Sequence, residues 1–426
     1  MDLFSRFKKD YFNYFLSTII PVIITAVSIP LFKRILGAEH YGQFSIKFNS
    51  VLLFTAILSG WIWPSIIRFF STSINRQSFA RKAMLLTFIT QSVFFIPFFL
   101  FVWLYEGNWV HAFFFSVTLF ITSLQFSILA LSQAVFLSRK SIFYELIRSI
   151  TYITLALILL TFSGFNYLYS LFSAVIVSYL VSFVYLNKQT NKQLLHEHHI
   201  DGNEPEQIKN VFKKFILYGA PLSLWFVFAS LITLTDKYFM LKTLGGEVQG
   251  NYQALFDFLS KSITIVVTPV TISLFPLLTS AFEKGQKKDI EKLLLKIIFF
   301  ELLGLLVAAA AYWWFGASIL FTLIHIPATT EYKLMGLIIL TATFIWQIAI
   351  VVQKKFELKY QSRYLLFMLI IAFSGQLLFY FIFHKSTNRL VVPTGYLLST
   401  ILYLFLISFG NIKNVVKIIT SPAQAH

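Results

Sequence analysis

The sequence has no cysteine in 426 residues, which excludes disulfides, thiolate metal sites and cysteine nucleophiles. It is also poor in charge: 12% of its residues are Asp, Glu, Lys or Arg, about half the share in a soluble domain. Acids are the scarcer sign, 18 against 35 Lys and Arg. With 57% hydrophobic residues the chain has too little polar surface to enclose water-soluble cores of this size, so an ordinary soluble enzyme is excluded. No G-x-x-x-x-G-K-[ST] phosphate loop occurs, so the chain does not hydrolyse ATP by that route.

Long apolar runs are abundant instead. Twelve stretches, at about 11–32, 43–66, 83–104, 111–137, 144–163, 166–186, 215–235, 252–280, 295–315, 333–353, 364–383 and 392–410, are each long enough to cross a hydrocarbon layer about 30 Å thick as a helix. The expected fold class is an all-α polytopic membrane protein, and the 50 Phe suit its lipid-facing surfaces. The first stretch follows Arg6, Lys8 and Lys9, a flank that imitates a signal peptide. Its apolar run is too long, and Lys33 and Arg34 follow without a small-residue cleavage site, so it is expected to remain as a span.

Lys and Arg gather in alternate connections. The N-terminus, the loops within 68–82, 139–148, 188–214, 284–296 and 354–363, and the tail hold 26 of the 35. The opposite side holds seven: Lys33, Arg34, Lys237, Lys242, Lys333, Lys385 and Arg389. By the positive-inside rule the first side is cytoplasmic, with both termini on it. The net charge of +17 then encodes topology and attraction to membrane lipids with anionic headgroups, and nucleic acid is not expected as a partner. The outer connections are short, which disfavours a polymerase or glycosyltransferase with an extracytoplasmic catalytic loop. The expected organisation is an N-terminal six-helix bundle (1–186), a cytoplasmic linker (187–214) and a C-terminal six-helix bundle (215–426). The linker's His196, Glu197, His198 and His199 do not match H-E-x-x-H spacing and read as part of a solvated hinge, so no metal site is expected. Near the start, Leu3, Phe4, Phe7 and Tyr11 share one helical face, which either lies along the cytoplasmic interface or is the frayed start of the first span.

The two halves carry an internal echo. Leu36 to Phe44 reads LGAEHYGQF and Leu244 to Tyr252 reads LGGEVQGNY, both fitting L-G-x-E-x-x-G-x-aromatic, and each joins the first and second spans of its own half. Gly37 and Gly245 are placed to end a helix in the left-handed conformation, while Glu39 and Glu247 sit near the next helix's N-terminus, where its dipole favours an anion. Gly42 and Gly250 permit close approach as the next span begins. Pro21 and Pro221, and Pro64 and Pro276, are further echoes. Six spans is an even number, so the halves read as parallel repeats related by a pseudo-two-fold axis along the membrane normal.

This pattern, with LGAEHYGQF, the basic turn SIIRFFSTSINR and the later YGAPLSLWFVFASLITLTDKYFMLKTLGGEVQGNYQAL, resembles bacterial polysaccharide flippases of the Wzx type, within the multidrug/oligosaccharidyl-lipid/polysaccharide exporter superfamily. The resemblance covers most of the chain and is carried chiefly by residues 17–72 and 214–286. It implies two six-helix bundles around a central cationic cavity that opens to one side at a time. It further implies a flippase for undecaprenyl-diphosphate-linked oligosaccharide repeat units in the bacterial cytoplasmic (inner) membrane, serving O-antigen or capsule synthesis. No cofactor is implied, and a polysaccharide polymerase and a chain-length regulator are the implied protein partners. The rival within the superfamily is a cation-coupled multidrug exporter, which binds cationic drugs through acids. Here the first six spans hold almost no buried carboxylate, Glu145 near a cytoplasmic end being the nearest.

Ionisable residues inside spans cost about 2.5 to 3.5 kcal/mol each on insertion, so each needs a reason. Lys261 lies about nine residues into the eighth span, roughly 14 Å deep, with Asp257 one turn earlier. They form either a neutralised structural pair or a cavity cation held by its partner until an anionic substrate arrives. Lys47 either snorkels to the outer interface or lines the cavity. Arg68 and Arg148, at cytoplasmic span ends, are explained by topology and also suit a diphosphate. Asp236 and Lys237 close the seventh span as a gate pair or a plain surface pair. Glu301, with Lys296 and Lys292 on its cytoplasmic side, is a snorkelled pair or a proton site. Gln125, Gln133, Gln347 and Gln376 can bind sugar hydroxyls or bridge helices. Coupling to a proton or sodium gradient would run through Glu301 or Asp257.

Overall fold

The computed structural model describes residues 3–409 except 71–72, 74, 136–137, 163, 165, 197–206, 284 and 360; the side chains of 3–22, 25 and 287 and of some α5, α6 and α8 residues are also outside the description. The linker histidines and the amphipathic N-terminal face therefore lie outside the described residues. Among the described residues every regular element is helical: α1 (Leu3–Ser59), α2 (Ile62–Phe70), α3 (Arg76–Glu106), α4 (Trp109–Ala134), α5 (Ser138–Phe162), α6 (Tyr167–His196), α7 (Ile208–Leu244), α8 (Gly246–Glu283), α9 (Lys287–Ala311), α10 (Ala317–Ile324), α11 (Thr330–Leu358), α12 (Ser362–Ile382) and α13 (Val391–Phe409). The twelve apolar stretches all fall on these helices, two of them on α1, but α6 and α7 run about nine or ten residues past the stretches that mark them. Nine described helices are long and apolar enough to cross a membrane, and a bent pair, Ala26–Ser59 with Ile62–Phe70, makes a tenth. Only 28% of the apolar window of α3 and 22% of that spanning α9 and α10 are buried by protein, so their remaining apolar surface requires lipid. The protein is an all-α polytopic membrane protein.

Local chemistry explains the breaks. Gly37 sits at φ +77 and interrupts α1, and Gly245 at φ +86 separates α7 from α8. Both are in the left-handed region that glycine enters without penalty, as the L-G-x-E pattern predicts. The 51° bend after Ser59 precedes Pro64, which supplies no N–H for the helix ladder and crowds the carbonyl four residues earlier. Packed against that break, the Ser223 hydroxyl of α7 donates to the Ala56 carbonyl at 2.7 Å. The run Lys288–Ile324 is continuous through a π turn at Tyr312–Gly316 and ends at His325, itself left-handed at φ 53.

Two compact units emerge. One comprises residues 47–230, the other residues 1–46 and 231–426, and the divisions fall within α1 and α7. In the 47–230 unit, Ile62, Ile66, Phe70, Phe79, Ala83, Ile128, Leu131 and Phe215 form an apolar core. A polar seam runs beside it: Ser59 donates to Ser123 and Thr87 to Ser127, both at 3.0 Å. Such bonds between membrane helices contribute about 0.6 kcal/mol each. In the other unit Leu274, Leu278, Leu293, Leu294, Ile297 and Val351 join α8, α9 and α11.

The two copies of the L-G-x-E pattern meet inside that second unit. A Cβ on Gly250 would collide with the Ala38 backbone carbonyl, one on Gly42 would reach the Gln249 side chain and the Gly250 Cα, and one on Gly246 would press on the Glu39 side chain. Ala38/Gly42 and Gly246/Gly250 are thus two small-x-x-x-small faces that let α1 and α8 cross with their backbones in contact.

Candidate functional site

The deepest ionisable cluster is built on α7 and α8. Helix α7 runs on to Leu244, two turns past Asp236, so Asp236 and Lys237 are interior residues, 1% and 3% exposed, and not a surface pair. Asp236 is held by three donors: Gln376 Nε2 and Tyr380 Oη of α12 both reach Oδ1, the latter at 2.5 Å, and Tyr252 Oη of α8 lies 3.3 Å from Oδ2. Gln376 also donates to the Ile232 carbonyl at 3.0 Å, and so bridges α7 and α12. Tyr380 Oη lies 3.0 Å from the Val392 carbonyl as well. A phenol has one proton, so it serves one of these two acceptors at a time.

Next to this hub, Lys237 interacts electrostatically with Asp257 and Asp236 and is opposed by Lys261. Asp257 accepts the Tyr41 hydroxyl at 2.8 Å, which ties α8 to α1 close to the crossing of the two repeats. Asp257 and Lys261 are both partly buried, one turn apart on α8. The four residues Asp236, Lys237, Asp257 and Lys261 therefore belong to one mixed-charge cluster and not to separate pairs.

In the 47–230 unit, Lys47 contacts Glu106 at 2.7 and 2.5 Å through the two carboxylate oxygens. It is 22% exposed at its side chain and sits 5.4 Å above the Phe115 ring. Arg148 grips Glu145 through Nε and Nη2 at 3.0 and 2.8 Å, and its guanidinium lies 5.5 Å from the centre of the Tyr179 ring. Glu145 thus has a cation of its own, and Glu106 of α3 is the more buried of the two acids, 19% against 33% exposed. Arg68 is partly buried in the last turn of α2. Gln125 is fully buried, with no hydrogen-bond partner for either amide atom among the described residues, whereas Gln133 is exposed. Glu301 is 6% exposed and neither carboxyl oxygen has a hydrogen-bond partner among the described residues, so a snorkelled pair with Lys296 is not formed.

Sequence reasoning passed over Lys33, although it is 4% exposed. Its ammonium donates to the carbonyls of Ile324 and His325 at 2.8 and 2.9 Å, closing the C-terminal end of α10 from a different helix. Beside it lies a cavity of about 560 Å³ lined by Lys33, Arg34, Glu39, His40, Glu247 and His325, so both glutamates of the repeated pattern face it. Among the described residues no group of three or more His, Asp or Glu side chains is arranged to hold a metal.

Solved structures share the fold. A MATE transporter from Vibrio cholerae, VcmN, matches with a TM-score of 0.69 over 97% of this chain and 98% of its own, at 13% identity. A MOP superfamily transporter from Pyrococcus furiosus matches with a TM-score of 0.71 over 96% and 94%, also at 13% identity. An outward-facing multidrug resistance MATE family transporter reaches 0.71 over 98% and 97%, at 12% identity. The chain therefore has the all-helical transporter fold of two six-helix bundles. Among curated proteins no match is found. Residues 7–282, well over half of the sequence, match the family described as polysaccharide biosynthesis protein, and the chain belongs to that family.

Proposed function

We propose that this protein is a flippase that moves undecaprenyl-diphosphate-linked oligosaccharide across the bacterial cytoplasmic membrane by alternating access, for O-antigen or capsule synthesis. The observation that carries the reading is the family match over residues 7–282. The fold agrees with a transporter, and an anionic cargo would meet lysines that each stand beside a carboxylate. A diphosphate cannot enter hydrocarbon unaided, because an isolated buried charge costs tens of kcal/mol in the continuum limit. Lys237 and Lys261 in α7 and α8 offer positive charge within the spans, and Lys47 in α1 offers it at the turn between α3 and α4. In the Pyrococcus furiosus transporter a reversed polarity of the binding pocket suggests a different function.

In this reading both termini are cytoplasmic, and residues 1–186 and 215–426 are duplicated halves joined by the 187–214 connector. A proton or sodium gradient couples through Asp257 or Glu301, and a polymerase and chain-length regulator receive the product. The test is complementation of a flippase-deficient strain. Lys261→Ala and Lys47→Ala are expected to lower surface polysaccharide at unchanged protein abundance, and normal polysaccharide from both variants would remove the cationic-path argument.

A further inference from the structure

Glu106 and His111 face each other across the turn between α3 and α4. Gly107, at φ +68, ends α3, and the Asn108 side chain starts α4 by accepting from the backbone N–H groups of Val110 at 2.9 Å and His111 at 3.2 Å. This places His111 Nδ1 3.0 Å from Glu106 Oε2, the oxygen that Lys47 Nζ contacts at 2.5 Å. Two basic groups thus share one carboxylate oxygen. The imidazole lies parallel to the Phe115 ring and 5.4 Å from the Tyr169 ring of α6. The three polar side chains are 18–22% exposed, so solutes reach them while the rings exclude bulk water. The charged and titratable groups facing His111 are Glu106 from α3, Lys47 from α1 and Tyr169 from α6.

With a neutral imidazole the group carries one positive and one negative charge. With His111 protonated it carries two positive charges against one negative, and the carboxylate is contested by both. We propose that Lys47, Glu106 and His111 form a proton-gated site for a phosphate anion, in which Glu106 occupies Lys47 until His111 is charged. The inference rests on the flippase reading only in taking Lys47 as a substrate cation, and it adds the group Lys47 meets, its internal competitor and the control on it. The phosphate can belong to a substrate diphosphate or to a lipid headgroup.

The test uses the full chain in nanodiscs of zwitterionic lipid, with inorganic pyrophosphate as the probe and protection of Lys47 from amine acetylation, read by mass spectrometry, as the signal. Half-protection is expected to need about tenfold less pyrophosphate at low pH than at high pH. His111→Asn is expected to stay at the high-pH value throughout, and Glu106→Gln to protect at low concentration at both pH values. Phosphatidylglycerol discs that protect Lys47 at low pH without pyrophosphate would support the site and assign it to a headgroup. Absence of protection at both pH values, or pH dependence retained in folded His111→Asn, overturns the proposal, and neither depends on Glu106→Gln folding. Lipid-linked oligosaccharide transport by a protein that gives no protection would remove this site and leave the flippase reading intact.

Discussion

Replacing Gly250 with alanine tests the packing of the two repeated segments. The new methyl group would fall far inside van der Waals contact of the Ala38 backbone carbonyl, an atom that cannot rotate away. Helix α1 must then withdraw from α8, which also disturbs the contacts of Gly42 with Gly250 and of Gly246 with Glu39. Overpacking of this kind costs about 1 to 3 kcal/mol, against a gain of roughly 1 kcal/mol in helix propensity for Gly→Ala. The net expectation is destabilisation of up to about 2 kcal/mol, which for a chain of this size lowers the melting temperature by about 1 to 2 °C. Gly245→Ala is the internal comparison. No described residue would stand within 4 Å of its Cβ, and its φ of +86 opposes the change at about 1 kcal/mol. Melting of the detergent-purified variants, followed by size-exclusion fluorescence, should rank Gly250→Ala below Gly245→Ala and both below the parent. A Gly250→Ala protein that melts at or above the parent temperature would refute the backbone-contact crossing.

Two further changes probe buried polar groups. Tyr380→Phe removes a donor to Asp236 and leaves the Val392 carbonyl without that hydroxyl, a loss of about 1 to 3 kcal/mol that appears as a lower melting temperature; an unchanged melt would show the hub to be dispensable. Lys33→Met deprives the Ile324 and His325 carbonyls of their ammonium donor. Amide exchange just after α10 should then speed up about tenfold or more, and unaltered exchange would contradict the capping role.

The helices were legible because membrane spans are written in composition: each apolar run became helical, and the Gly37 and Gly245 breaks fell where the repeated pattern placed them. What that pattern met was not legible. The glycines promised close approach, but their spacing names no partner, and the partner of each copy is the other copy. Asp236 looked like the end of a span because Lys237 follows it. Its buried position comes from two more turns of α7 and from Tyr252, Gln376 and Tyr380, which lie 16 to 144 residues away in sequence. Gln376 was readable as a helix bridge in kind, though not in target. Glu106 and His111 gave no signal, because each is an ordinary residue at a loop edge until α1 brings Lys47 to it. Side-chain partners across helices depend on packing, and a single sequence carries little of that information.

The most direct test of the account is transport itself. Purified protein would be reconstituted into liposomes with a fluorescent undecaprenyl-diphosphate oligosaccharide, and the fraction of sugar that a membrane-impermeant glycosidase can reach would be followed over time. Parent protein is expected to move the sugar between leaflets, and Lys261→Ala vesicles to fall to the rate of protein-free liposomes. Exchange at the protein-free rate in the parent, or equal rates in parent and Lys261→Ala vesicles, would contradict that expectation.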